Sequence, residues 1–244
     1  MLGMKTTMES VTTGVREIAE ALGGGIHEGS LMLIEGESKT GKSVLSQYIA
    51  YGIQCAKNCS VAFYVTDNIE SLIANMDSMN LYVRHGRMTD RFRMYELDSC
   101  IGIKSAQEQL QLQIKHISEL PLRFKLVIVD SVSQYLTHLK PVTKIDFLQS
   151  CKELCEKGRS IILTIDTHVF EGETRPRAHS MCDYYLKLSS QDMILAPGQV
   201  DTRIIKVLEV TKLHGAERHE QPDLKFEIKP KVGIQILPLV KVRV

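Results

Sequence analysis

Eight consecutive residues near the start of the chain carry the clearest chemistry in the sequence. Two glycines five positions apart are followed by a lysine and a hydroxyl residue, in the order Gly36, Glu37, Ser38, Lys39, Thr40, Gly41, Lys42, Ser43. Glycines at those positions let the backbone curl so that successive N–H groups point at phosphate oxygens. Lys42 is then expected to reach the β- and γ-phosphates, and the Ser43 hydroxyl to hold Mg²⁺. The pattern predicts a site for a nucleoside triphosphate and its magnesium ion, with Val44 completing the contacts.

Two aspartates stand where the carboxylates of such a site belong. Asp130 directly follows the apolar run 126–129, and Asp67 lies just beyond the apolar run 61–65. Ligands of open α/β sheets bind at the carboxyl ends of the strands, so Asp130 is expected to hold water bound to Mg²⁺. Asp67 is the candidate for orienting the water that attacks the γ-phosphate. Its side chain is one methylene shorter than that of Glu, and a displacement of about 1 Å slows catalysis on the order of a hundredfold. The residues therefore favour ATP binding over fast turnover.

Other polar residues at these predicted strand ends have two interpretations. Asp67 and Asn68 are also suited to capping the helix that begins near Ile69, and Glu70 is a second candidate for positioning the water. The apolar run 161–165 ends in Asp166, Thr167 and His168. Thr164 or His168 is placed to sense the γ-phosphate by hydrogen bonding and to signal to a loop over 171–179. A structural role for either residue stays open.

The elements that must position these residues follow from the hydrophobic pattern. Short apolar runs without alternation predict buried parallel strands at 31–35, 61–65, 126–129 and 161–165. Helical spacing predicts helices at 10–22, 44–56, 69–79, 105–120 and 144–157. The tail has apolar segments at 204–211, 224–228 and 234–237 with no helix between them, which predicts hairpins. The expected fold is α/β, a mostly parallel twisted sheet flanked by helices with a C-terminal antiparallel β extension, in one domain over 1–244.

Composition excludes several classes of function. Of the 244 residues 43% are hydrophobic and 24% charged, and the formal net charge is +1, so bulk charge does not attract nucleic acid or anionic lipid. No apolar run is long enough for a membrane helix, and the first residues lack the order of a signal peptide. The chain is expected to be cytoplasmic.

Six cysteines include two pairs spaced four apart, which would share a helical face: Cys55, Cys59, Cys100, Cys151, Cys155 and Cys182. Thiolate metal sites use tighter spacings, so buried, reduced cysteines are expected.

Several segments together carry a family resemblance. Residues 22–31 (LGGGIHEGSL), 34–38 (IEGES) and 41–47 (GKSVLSQ) resemble the RecA-like P-loop ATPases of the circadian-clock KaiC superfamily. Residues 43–47, 212–217 (KLHGAE) and 230–234 (PKVGI) are most similar to the branch formed by accessory ATP-binding proteins of the archaellum, the archaeal flagellum. The resemblance extends from about residue 18 to residue 236, nearly the full chain.

The resemblance implies more than the residues themselves show. Proteins of this branch bind ATP with Mg²⁺, form hexameric rings and turn ATP over slowly or not at all. They sit at the cytoplasmic base of the archaellum motor. Their partners there are the secretion-type motor ATPase, the polytopic membrane platform protein and a scaffold ring protein. Association with the membrane is then expected only through these partners.

Matched to the family pattern, four positions depart or stand out. Asp67 occupies the position of the catalytic Glu, and Lys39 replaces a common Gly. KaiC relatives insert a Lys and an Arg from the neighbouring subunit toward the γ-phosphate, and the matching residues are Lys212 and His214. Lys212 keeps the cation, whereas His214 is a poorer phosphate partner than Arg. The resemblance therefore predicts a nucleotide contact in trans through Lys212 with weak stimulation across the ring.

Three alternatives compete with this interpretation. In a DNA recombination or repair ATPase of the same fold, Arg175 and Arg177 would grip single strands, but Glu171 and Glu173 lie beside them and no aromatic stacking platform accompanies them. A KaiC-like signalling ATPase or autokinase is the second alternative. A MinD-type protein is the third, and it fails because its extra loop Lys is replaced by Glu37.

Overall fold

The computed structural model describes residues 15–55, 59–82, 90–97, 105–194, 202–213 and 223–237. These residues build a single nine-stranded sheet in the order β3-β2-β4-β5-β1-β6-β7-β8-β9. Its strands are β1 (Leu31–Gly36), β2 (Ser60–Val65), β3 (Phe92–Glu96), β4 (Phe124–Asp130), β5 (Ser160–Ile165), β6 (Tyr184–Ile194), β7 (Thr202–Lys212), β8 (Leu224–Lys229) and β9 (Gly233–Ile236). The helices are α1 (Arg16–Ala21), α2 (Lys42–Cys55), α3 (Ile69–Ser78), α4 (Ala106–Glu119), α5 (Ser133–Leu136), α6 (Pro141–Glu156) and α7 (Thr174–Met181).

Six parallel strands, from β3 to β6 in spatial order, form the first part of the sheet. Every residue of β1, β2 and β5 is buried, which is why these strands are apolar without alternation. One face packs against α1, α2 and α3, through residues such as Ile18, Ile49 and Met76. The other packs against the helices from α4 to α7. The predicted α/β architecture with helices on both faces is confirmed.

The remaining strands form the antiparallel extension, β6–β9, in which β7, β8 and β9 continue the sheet as hairpin-like pairs. The predicted antiparallel extension is therefore also confirmed. β6 belongs to both parts, because it pairs in parallel with β1 and antiparallel with β7. It thus connects the strand that precedes the phosphate loop to the C-terminal hairpins.

Four elements differ from the sequence predictions. β3 is an edge strand whose residues are mostly half-buried, so it lacks a continuous apolar run. β6 mixes apolar with polar residues, and α5 has only four residues. The loop expected over 171–179 is wrong, because α7 occupies most of it; Pro176 lies in its first turn, where a missing N–H is tolerated.

The cysteine prediction is confirmed for most of the described thiols and wrong for one. Cys59, Cys151, Cys155 and Cys182 are free and buried, whereas Cys55 is free and exposed at the end of α2. Burial raises the pKa of the Cys155 thiol to about 12. Within the described ranges no group of three or more potential ligands is arranged for a metal. Cys100 lies outside the described residues.

Candidate functional site

A cavity of about 360 Å³ opens where β1, β4 and β5 end. Its walls come from the loop between β1 and α2, from the ends of β4 and β5, and from β8 in the extension. The lining residues are Ser38, Lys39, Gly41, Lys42, Ser43, Val44, Asp130, Ser131, Asp166 and Ile228.

Among the helices of the described chain, none is long and apolar enough to cross a bilayer.

The two glycines of the loop meet real geometric demands. A Cβ on Gly36 would lie 2.6 Å from the Thr40 Oγ1 and 2.7 Å from the Leu188 carbonyl oxygen, so a side chain does not fit there. Gly41 has φ +104°, a conformation that other residues rarely adopt. Lys39, with φ +64°, is also left-handed, a conformation that glycine adopts more readily than residues with a side chain. The loop thus forms the tight curl that the sequence pattern predicts.

Lys42 fills the centre of this curl. Its side chain is only 8% exposed, and Nζ donates to the carbonyls of Gly36 and Glu37 at 2.7 and 2.8 Å. It also forms an ion pair with Asp166, with Nζ 2.9 Å from Oδ1. An ammonium group has three donors, and all three are engaged. A phosphate that binds here must replace at least one of these acceptors.

Asp130 lies beside Lys42 at the end of β4. Its Oδ1 accepts hydrogen bonds from the Thr164 Oγ1 at 2.6 Å and from the Ser43 Oγ at 3.2 Å. Burial raises the pKa of Asp130, against the two hydroxyl donors and Lys42, which lower it, while the charge of Asp67 raises it further. The hydroxyl of Ser43 and the carboxylate of Asp130 therefore stand together, as a magnesium site needs.

Asp67 lies exposed in the bend between β2 and α3. The helix cap is Asn68, whose Oδ1 accepts from the Ser71 N–H at 2.6 Å. The N-cap of α3 is therefore Asn68 and not Asp67. The Thr66 N–H donates to the Asp130 carbonyl at 3.1 Å, which ties this bend to the site. Glu70 is exposed in the first turn of α3.

The remaining predicted contacts lie in different surroundings. Thr164 is fully buried and donates its proton to Asp130, so it orients the carboxylate. His168 is exposed beyond β5. Lys212 donates to the carbonyls of His179 and Ser180, each at 2.9 Å, and so closes the end of α7 within the protomer. His214 lies outside the described residues.

Sequence reasoning missed two groups that shape the site. The sequence indicates Asp166 only as a polar residue at a strand end, yet it is the ion-pair partner of Lys42; its N–H donates to the Ser133 Oγ at 2.9 Å. Glu35, directly before the loop, is buried and accepts hydrogen bonds from the Tyr185 hydroxyl and from Arg175. Tyr185 and Arg175 lie far from Glu35 in sequence, so no local pattern could reveal the contact.

The residues present fit a magnesium nucleoside triphosphate. The curl has no room for a Cβ at Gly36, its lysine lines the cavity, and a hydroxyl and a carboxylate lie together in the same lining. A loop of this type between a strand and a helix of a mostly parallel sheet, with an Asp at the end of a neighbouring strand, defines a P-loop nucleotide-binding protein of the RecA-like class.

Within that class, the model for the family described as "ATPase: KaiC" matches residues 11–241, and the chain belongs to this family. Two curated relatives are named archaeal flagellar ATP-binding protein FlaH. The one from Sulfolobus acidocaldarius is 24% identical over 232 residues, covering 94% of this chain and 97% of that protein. The one from Methanocaldococcus jannaschii is 23% identical over 225 residues, covering 90% and 91%.

Solved structures confirm the fold. The crystal structure of the flagellar accessory protein FlaH from M. jannaschii superposes with a TM-score of 0.72 at 22% identity, covering 91% of this chain and 95% of that one. A KaiC-like protein from Pyrococcus horikoshii gives a TM-score of 0.71 at 18% identity, covering 94% and 99%. The chain is therefore a KaiC-like ATPase-fold protein similar to FlaH.

Proposed function

We propose that this chain is an ATP-binding accessory subunit of the archaellum motor, in which bound nucleotide controls ring assembly and docking. Membership of the KaiC family and similarity to two proteins named FlaH over nearly their full lengths support the archaellum assignment. The observation that carries nucleotide binding is the Lys42 amine, held at the centre of the phosphate loop beside Ser43 and Asp130.

Binding of Mg-ATP is an exchange of partners at Lys42. Phosphate oxygens replace Asp166 on the amine, and the loop N–H groups take the remaining oxygens. Ser43 would hold Mg²⁺ through its hydroxyl oxygen, and Asp130 would hold water bound to that ion. Thr164 keeps the Asp130 carboxylate oriented, because its proton already points there. When bound, the ion would supply charge neutralisation for the phosphates.

Turnover is slow in this proposal. Asp67 lies exposed in a bend and has a shorter reach than Glu. A misplaced catalytic group loses rate on the order of a hundredfold per Å. Bound ATP therefore persists as a structural signal, and replacing Asp67 with Glu is expected to raise phosphate release. An unchanged rate would point to another group, such as Glu70.

The partners follow from the archaellum assignment. The proposed complex is a homo-hexamer at the cytoplasmic face of the membrane, with Mg-ATP between neighbouring copies and Lys212 reaching in trans. The ring docks on the motor/secretion ATPase and the polytopic membrane platform protein, inside a scaffold ring protein. No nucleic acid is required, and Arg175 supports this because Glu35 and the carbonyls of Thr167 and Phe170 already engage it.

Replacing Lys42 with Ala tests both parts of the proposal. The purified chain should retain radiolabelled ATP with Mg²⁺ and bind the motor ATPase, and Lys42→Ala should lose both together. Lys157→Ala, which removes an exposed lysine at the end of α6, is the control and should change neither. A wild-type chain that retains no ATP, or a Lys42→Ala variant that docks with unchanged affinity, contradicts the proposal.

The signalling alternative predicts different products. A KaiC-like autokinase or signalling ATPase releases phosphate steadily or accumulates phosphoprotein, and both can be measured on the same preparation. Rapid release or autophosphorylation would favour that alternative over nucleotide-controlled assembly. A salt-dependent shift of labelled single-stranded DNA would favour the recombination alternative.

A further inference from the structure

The antiparallel extension touches the phosphate loop at three points. The Leu188 carbonyl of β6 blocks space beside Gly36, and Ile228 of β8 lies 3.0 Å from where a Gly41 Cβ would stand. Between them, Lys206 of β7 donates a hydrogen bond to the carbonyl of Lys39. The loop is therefore supported from outside by strands that come more than 140 residues later in the chain.

Lys206 is held in place at this contact. Its Nζ lies 2.5 Å from the Lys39 carbonyl oxygen and 2.9 Å from the Oγ of Ser190, the residue directly across on β6. No carboxylate pairs with it among the residues that the structure describes. Burial lowers the pKa of Lys206 from its ordinary value. A partly buried ammonium group whose anchors are a hydroxyl and a loop carbonyl thus lies on the outer side of the loop.

The contact falls on the peptide that follows a left-handed residue of the loop. Lys39 has φ +64°, and for a residue with a side chain this left-handed conformation costs roughly 1 kcal/mol. In a trans peptide the C=O and N–H point in opposite directions. With the Lys39 carbonyl directed at Lys206, the N–H of Thr40 is directed into the loop, where it donates a hydrogen bond to the Glu37 carbonyl at 3.4 Å. A phosphate oxygen would have to replace that carbonyl as the acceptor. A cation on the carbonyl polarises the same peptide and makes its N–H a stronger donor.

We propose that Lys206 is a positioning residue for the polyphosphate of the nucleotide. Its ammonium group holds the Lys39 peptide in the left-handed turn and presents the Thr40 N–H to a phosphate oxygen. The β6–β7 hairpin thereby becomes part of the nucleotide site and responds to its occupancy. This inference rests on the proposed ATP binding and adds a residue of the extension to it.

Three variants and one control test the role of Lys206. Lys206→Met keeps the aliphatic stem and removes the charge, and it should weaken Mg-ATP binding about tenfold. Lys206→Arg keeps the cation and should restore most of the affinity. Ser190→Ala removes one anchor and should weaken binding by about two- to threefold. Lys225→Met, on the neighbouring strand with its side chain exposed, is the matched control and should bind like wild type.

A second ligand shows whether Lys206 acts on the polyphosphate part of the nucleotide. Inorganic tripolyphosphate with Mg²⁺ lacks the base and ribose, so Lys206→Met should weaken it by the same factor as ATP. Hydrogen exchange of β6 and β7 should slow when wild type binds Mg-ATP and should slow less in Lys206→Met.

The outcomes separate the inference from the proposed function. Equal ATP affinity of Lys206→Met and wild type overturns the positioning role and leaves ATP binding intact. An Arg variant as weak as the Met variant also overturns it, because packing of the stem would then be responsible. A wild-type chain that binds neither ATP nor tripolyphosphate overturns the proposed function together with this inference.

Discussion

Asp130 is a single residue on which magnesium binding and stability of the fold have opposite requirements. A magnesium site needs its carboxylate ionised, yet burial raises its pKa and so disfavours the charge. Hydroxyls of Thr164 and Ser43 and the nearby Lys42 offset that cost only in part. The folded chain therefore holds this charge at some expense in stability, as functional groups in binding sites commonly do.

Asp130→Asn should separate the two demands. A native pKa above the unfolded one means that the folded state binds more protons, so the ionised carboxylate destabilises the fold above that pKa. Without ligand, the variant should melt a few degrees higher than wild type at pH 7. With Mg-ATP, it should lose the magnesium-dependent part of its stabilisation. In wild type, that part should decline on acidification at a higher pH than an exposed aspartate would allow. A lower melting temperature of the unliganded variant would contradict this account.

A site residue could be predicted from sequence only where a local pattern marks it, and not where distant partners in the chain define its role. Lys42 and Ser43 belong to one local motif, and Asp130 ends an apolar run, so all three could be proposed from sequence. Asp166 pairs with Lys42 across 124 positions, and Tyr185 reaches Glu35 across 150. Nothing near those residues in sequence indicates such partners, because the order of strands in the sheet brings them together.

Among the elements, the antiparallel extension is in direct contact with α2. Gly233, at the start of β9, has φ +81°, and a Cβ there would lie 1.4 Å from the Tyr48 hydroxyl of α2. That hydroxyl accepts the Ile234 N–H at 3.2 Å. The helix that follows the phosphate loop is thus packed against the last strand, and the glycine makes the close approach possible.

Gly233→Ala should therefore destabilise the chain by more than the strain of an alanine at positive φ alone would. Gly158 provides the control, because it also has positive φ but nothing lies within 4 Å of its Cβ position. We expect a loss of about 1 kcal/mol for Gly158→Ala. For Gly233→Ala we expect a loss of about 3 kcal/mol, since overpacking adds to the strain. Urea unfolding measures both, and equal losses would contradict the contact with Tyr48.

The central parallel strands were predictable because their burial is uniform. Strands β1, β2 and β5 are buried throughout and were found from apolar runs. Strand β3 and helix α7 were missed because each mixes buried with exposed residues and lacks a regular pattern. The short α5 gives too few residues for any periodicity. The prediction failed where tertiary contacts, and not local pattern, decide the structure.

In the molecule as a whole, the candidate nucleotide site lies where the parallel strands join the extension. A ligand there contacts both parts, so binding is expected to stabilise the fold as a unit, by about 2.7 kcal/mol at a hundredfold excess over Kd. Assembly involves a further competition. Lys212, the proposed contact to a neighbouring copy, is bound to carbonyls at the end of α7 in the isolated protomer.

Lys212→Ala tests assembly independently of ATP binding within one protomer. We expect Mg-ATP to drive wild type into hexamers that mass photometry detects, and the variant to stay monomeric while it still binds ATP. Loss of the contact to α7 should lower the stability of the protomer by about 1 kcal/mol. Lys157→Ala should assemble like wild type. Hexamers of Lys212→Ala at the same concentration would contradict a role in trans.

The ion pair between Lys42 and Asp166 has a consequence for selectivity. An unpaired amine in a cradle of N–H groups attracts any small anion, including the chloride abundant in cells. Here such an ion must first separate the amine from a carboxylate that lies 2.9 Å away. The attraction between the amine and a single weak charge does not offset the loss of that ion pair. A ligand with several negative oxygens and its own divalent counterion can replace the carboxylate, because its interactions with the site offset the lost ion pair. If the proposed function holds, this ion pair makes the site discriminate among anions before any base or sugar is recognised.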